Sequence, residues 1–201
     1  MNIRNAFLLL SLAMVIMTLG CRQSSDKATD NRIGEEEKSA VIEKGRSIAM
    51  ATFATLSAQL QQAMKEGGAA EAIRYCNLNA NTLVDSLSRT HYASIRRTSL
   101  KVRNPANKPN TDERKVLDAY AAMAASGSEL KPLVELLDQN TVSFYAPISV
   151  NAFCLQCHGK VGESLKSEDY AVIKQHYPQD EATGYAEGDL RGMWSIQFKR
   201  Q

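Results

Sequence analysis

Apolar residues recur at helical spacing through the first third of the chain. Between Glu35 and Lys65, Val41, Ile48, Ala51, Leu56, Leu60, Ala63 and Met64 follow a mostly helical rhythm, which predicts an amphipathic helix. Glu35, Glu36 and Glu37 sit near its start, where negative charge suits the helix dipole. Gly67-Gly68 ends it. A second helix is predicted from Ala69 to about Ser88. There Ile73, Cys76, Ala80, Leu83 and Leu87 alternate three- and four-residue steps and so form one apolar stripe.

The pattern then changes period. Ser94 to Arg103 reads as a strand whose even positions, Arg96, Thr98, Leu100 and Val102, are mainly apolar. Its odd positions, Ile95, Arg97, Ser99, Lys101 and Arg103, are mainly basic and are expected to face solvent. Two prolines and three asparagines make 104–110 a loop, and Asn110 or Thr111 can cap a third helix to about Ala125. Val134 to Leu137 and Val142 to Val150 read as strands joined by a turn at Gln139-Asn140. Pro147 places the second of these at an edge or near its end. Ser167 to Gln175 is a short helix. In Arg191 to Lys199, Trp194, Ile196 and Phe198 alternate with Ser195 and Gln197, the pattern of a half-buried strand. Helices followed by an antiparallel sheet with short helices make the chain α+β.

The first twenty residues stand apart. Arg4 precedes an apolar run from Ala6 to Leu19, interrupted only by Ser11 and Thr18, and a polar stretch follows Cys21. That is the layout of an export signal rather than of a membrane span. Gly20-Cys21 resembles the end of a lipoprotein signal, although Thr18 stands where an aliphatic residue is usual. The expectation is therefore a signal over 1–20, lipidation at Cys21, a flexible tether over 21–34 and a folded domain over 35–201. With Arg4 removed, the 24 basic residues become 23 against 22 acidic ones. A chain so nearly neutral points away from nucleic acid.

Four cysteines in an exported protein would ordinarily suggest two disulfides. Here Cys154-Leu155-Gln156-Cys157-His158 accounts for two of them. Cys-x-x-Cys-His is the attachment signature of a c-type haem. Two thiols three residues apart can form thioethers with the vinyl groups of one haem, and the adjacent histidine then offers an axial nitrogen. By chance, a chain of this composition would show the motif on the order of once in a thousand. A structural zinc would need a second ligand pair, and none is present in the sequence.

Several separated segments carry a further resemblance. They are Ala72-Ile73-Arg74-Tyr75-Cys76, Ile95 to Lys101, Arg103-Asn104-Pro105, Cys154 to Gly159 and Gly188-Asp189-Leu190-Arg191-Gly192. Together they resemble the Tll0287-like haem family over about residues 45 to 199. The resemblance implies a PAS-like α+β fold with a single c-type haem. It also implies a histidine and a cysteine as axial ligands, by position His158 and Cys76.

Spacing alone does not choose the sixth ligand. Cys76, His91, His176, Met50, Met64, Met123 and Met193 are all candidates, and a buried cysteine on an apolar stripe is often plain core. The family resemblance selects Cys76. Haem propionates need cationic partners. Arg96, on the apolar face of its strand, and Arg191, before the last strand, are the residues expected to supply them.

Two axial ligands from the protein favour a single-electron carrier working with an envelope redox partner. The alternative is a haem-based redox or gas sensor signalling through a separate protein. An enzyme would need an open coordination position with acid–base groups around it, and no such constellation is visible in the sequence.

Overall fold

A computed structural model describes residues 33–200. The expected export signal, Cys21 and most of the expected tether lie outside the described residues.

The first element, α1, spans Glu35–His91 and is interrupted at Gly67 and Gly68. Gly68 takes φ 66° and ψ −158°, a region that is in practice glycine's alone. The two predicted helices are therefore two limbs of one bent element. No helix among the described residues is long and apolar enough to cross a membrane. β1 (Ser94–Thr98) follows, then a single 3-10 turn at Pro105–Asn107 and α2 (Thr111–Ala125). β2 (Leu133–Asp138) and β3 (Thr141–Ser149) form a hairpin. α3 (Leu155–His158), α4 (Ser167–His176) and β4 (Leu190–Lys199) complete the chain.

The four strands make one antiparallel sheet in the order β1-β4-β3-β2. It is an α+β fold of the kind expected for a PAS-like domain. Strand alternation sorts side chains between two helical layers. Phe144, Trp194, Ile196, Phe198 and Ile95 pack with Val41, Ile48, Leu56 and Val84 of α1. Tyr145 and Met193, on the other face, pack with Val116, Leu117 and Tyr120 of α2. Pro147 pairs with Met193 of β4 beyond the last β2 partner, so no neighbouring strand needs its missing N–H.

Two sequence expectations change. β4 is buried on both faces, not one, because α2 covers the Met193 and Ser195 side. β1 ends at Thr98, well short of Arg103, and its buried odd member Ile95 faces α1. Both faces of β1 are therefore covered: even-numbered Thr98 is buried as well, and what fails is the expectation that the odd face meets solvent. Arg97, opposite Trp194 and 5.9 Å from its ring, shares the α1 side.

Arg96 points the other way, toward α2. Its guanidinium binds Glu113, with Nε to Oε1 at 2.9 Å, and donates to the Lys108 carbonyl at 2.9 Å. Glu113 is fully buried and also completes a capping box with Asn110. One carboxylate thus starts α2 and fastens it to the edge of the sheet.

Gly45 is a point of close approach between α1 and the sheet. A Cβ there would lie 2.2 Å from Cγ of Phe144. Alanine gains about 1 kcal/mol in helix propensity, but overpacking costs about 1–3 kcal/mol. Gly45→Ala is expected to lower the midpoint of urea unfolding. A midpoint equal to or above that of the wild type would show that the limb is not seated on Phe144.

Candidate functional site

The motif segment begins where β3 ends. Asn151 Oδ1 accepts from the Cys154 amide at 3.1 Å, and the Asn151 carbonyl accepts from it at 3.0 Å. This starts the single turn of α3, which sets Cys154 and Cys157 on successive positions of one helical turn with His158 beside them. Cys76, Cys154 and Cys157 are all free thiols.

His158 is fixed by the loop that precedes β4. Its Nδ1 lies 2.7 Å from the Ala182 carbonyl oxygen, so Nδ1–H donates and Nε2 keeps its lone pair. The Tyr185 amide donates to the His158 carbonyl at 3.1 Å, and the Gly184 amide to that of Gly159 at 2.9 Å. The Tyr185 ring meets the imidazole edge-on, with centroids 6.4 Å apart. Burial holds the His158 pKa well below its ordinary value, and the Arg103 and Arg191 charges push the same way. The imidazole is therefore neutral, the form that binds a metal.

The second limb of α1 brings Cys76 to the same place. Burial raises its thiol pKa, against the pull of Arg97 and Arg103. Burial also pushes the Cys157 thiol up to about 11, and among the charges acting on it are those of Arg103 and Cys76. Below Cys76, Ile73 packs with Leu165, Ile173 and Tyr177, joining this limb to α4. Of the other sixth-ligand candidates, Met50 is 65% exposed, and Met193 is buried on the α2 face with Met123 against it. His91 ends α1 and His176 ends α4, both half-buried. Met64 lies on the first limb of α1.

Three arginines surround the motif. Arg103, read from the sequence as a surface residue, is 13% exposed. Its Nε binds Asp180 at 3.0 Å, and its Nη2 donates to the Cys157 carbonyl at 2.6 Å. Arg97, also read as a surface residue, is half-buried and electrostatically coupled to Cys76 and Tyr177. Arg191 donates from Nη1 to the Lys101 carbonyl at 3.1 Å and lies 5.4 Å over the Tyr185 ring. Its Nε is buried without a hydrogen-bond partner. Arg96, expected to join this group, is committed to Glu113 on the opposite face of the sheet and is set aside as a propionate partner.

Among the described residues no three His, Cys, Asp or Glu side chains converge to hold a metal ion.

The Tll0287-like family model matches residues 34–198. The chain belongs to the Tll0287-like family. A solved structure, described as the crystal structure of the cyanobacterial heme-protein Tll0287, resembles it with a TM-score of 0.56 and 25% sequence identity. The match covers 84% of this chain and 98% of that one. No curated protein matches the chain. Family membership was legible in the separated motifs. Arg97, Arg103 and Asp180 were not read as site residues. The one sequence signal for Arg97 is its shared parity with Ile95.

Asp180 is buried, and it accepts from both Arg103 and the Ala182 amide, the latter at 3.1 Å. Asp180→Ala would leave the Arg103 cation uncompensated in a largely buried place, at a cost of about 3 kcal/mol. Thermal unfolding is expected to move to clearly lower temperature. An unchanged transition would remove this ion pair from the framework of the site.

Proposed function

We propose that this protein is a monohaem c-type cytochrome of the cell envelope that passes single electrons. Cys154 and Cys157 would hold the haem through thioethers, and His158 and Cys76 would ligate its iron. The observation that carries the reading is the fixed imidazole: His158 gives its Nδ1 proton to Ala182 and so presents a bare Nε2 beside the two thiols. The structural relative described as a heme-protein supports the same cofactor.

The remaining residues fit a haem. The orphaned Nε of Arg191 requires an acceptor, which a propionate supplies. Arg97 makes no side-chain hydrogen bond among the described residues, faces the Cys76 side and can take the same role. When bound, the haem iron supplies the one-electron chemistry. His158, kept neutral, and Cys76 would ligate the iron, and Arg191 and Arg97 would offset the propionate charge. A cysteine ligand donates electron density and favours a low potential. No catalytic residue is assigned. The Cys21 lipid anchors the domain to a membrane of the envelope, where a separate redox partner exchanges electrons with it.

A sensing role is the second reading, and one observation favours it. Burial raises the Cys76 pKa, so a neutral thiol is favoured whenever the sulfur leaves the metal. Reduction would then switch the site between two coordination states.

The test uses the exported protein produced with haem-maturation machinery. Haem that resists acid–acetone extraction, and is lost in Cys154→Ser with Cys157→Ser, is the expected result. Extractable haem in the wild type rejects covalent attachment. Spectra unchanged by carbon monoxide in both oxidation states support electron transfer, and gas binding on reduction supports sensing. Cys76→Ala is expected to alter the ferric spectrum and raise the potential. An unaltered spectrum would remove Cys76 from the metal.

A further inference from the structure

The carbonyl oxygen of Ala182 has two donors. His158 Nδ1 is 2.7 Å away and Arg103 Nη2 is 3.3 Å away. Arg103 is placed to do this by its other contacts. Asp180 takes Nε at 3.0 Å and lies 3.4 Å from Nη2. The same Asp180 oxygen takes the Ala182 amide at 3.1 Å, which curls the loop back onto the guanidinium. Nη2 carries two protons and has three acceptors. The Cys157 carbonyl, at 2.6 Å, holds one proton, so Asp180 and Ala182 share the other.

We infer that Arg103 tunes the potential of the site by sharing the Ala182 carbonyl with His158. It is a positioning residue and not a ligand. The inference rests on the reading that His158 binds the haem iron. A strong acceptor on the distal nitrogen of a ligating histidine makes the imidazole a better donor to the metal. A cation on the same carbonyl draws off its electron density, so the imidazole gives up less of its proton and donates less. The ferric state is then less stabilised and the potential is higher. The Arg103 charge itself acts on His158 in the same direction. The contact to Cys157 ties this control to the motif backbone, so ligand and acceptor are held by one side chain.

Arg103→Lys and Arg103→Gln separate the two effects in the haem-loaded protein, with midpoint potentials read by spectroelectrochemical titration. Lysine keeps the charge but cannot span three acceptors. Both variants are expected to favour the ferric form on the order of tenfold, about 59 mV lower for one electron. A lysine variant at the wild-type potential beside a lowered glutamine variant would reduce the effect to charge and overturn carbonyl sharing. Wild-type potentials in both variants, with only a lower unfolding temperature, would overturn it also. Should neither variant fold, histidine-labelled nitrogen NMR of the reduced low-spin wild type decides. A Nδ1–H shift in the neutral imidazole range supports the inference, and an imidazolate-like shift overturns it. His158→Ala is measured first: a haem spectrum it leaves unchanged removes the ligand reading itself, and the tuning with it.

Discussion

β4 is covered on both faces, and most of the architecture follows from that constraint. A central strand with Met193 and Ser195 on one side and Trp194, Ile196 and Phe198 on the other needs a helical layer on each. α1 supplies one layer and α2 the other. β1, hydrogen-bonded along the edge of β4, then sends consecutive arginines to opposite layers. Arg96 fastens α2 through Glu113, and Arg97 enters the side where Cys76 lies. The two residues are adjacent in sequence and serve different halves of the molecule.

The elements around the motif are joined by polar contacts of long range more than by shared apolar packing. The pairing of Arg103 with Asp180 connects the segment after β1 to the loop before β4, and Arg103 also reaches the backbone of α3. Ser99 adds a second link, donating to the Arg191 carbonyl at 2.6 Å. A one-turn helix such as α3 cannot hold its shape alone, since nucleating a helical turn is unfavourable. Its geometry is imposed by Asn151 at one end, Arg103 along its length and the 182–185 loop beside it.

Much of this was legible in the sequence where the signal is local. The glycine pair, the Asn110 cap and the period-two strands all marked real features. The odd face of β1 was read as solvated because the basic Arg97, Lys101 and Arg103 share its parity, yet the strand ends at Thr98 and α1 covers that face. Half-burial of β4 was inferred from Ser195 and Gln197, but polarity at a position does not tell whether a helix covers it. Arg103, Asp180 and Ala182 form a cluster only through contacts spanning up to 79 residues, which no periodic pattern announces. The motif Cys154 to His158 was plain in sequence. Its fixed tautomer depends on a carbonyl 24 residues away and emerges only in three dimensions.

The bend in α1 has a mechanical meaning for the sulfur it carries. Cys76 lies eight residues beyond Gly68, about 12 Å along the helix axis at 1.5 Å per residue. Over that lever arm each degree of rotation at the glycines displaces the sulfur by roughly 0.2 Å, so five degrees carries it about 1 Å. Gly68 has open space around it, and its backbone has no side chain to oppose rotation. The reach of Cys76 is therefore set by grips on either side of it: Ile73 on α4, three residues before, and Ala80 and Val84 in the sheet core beyond.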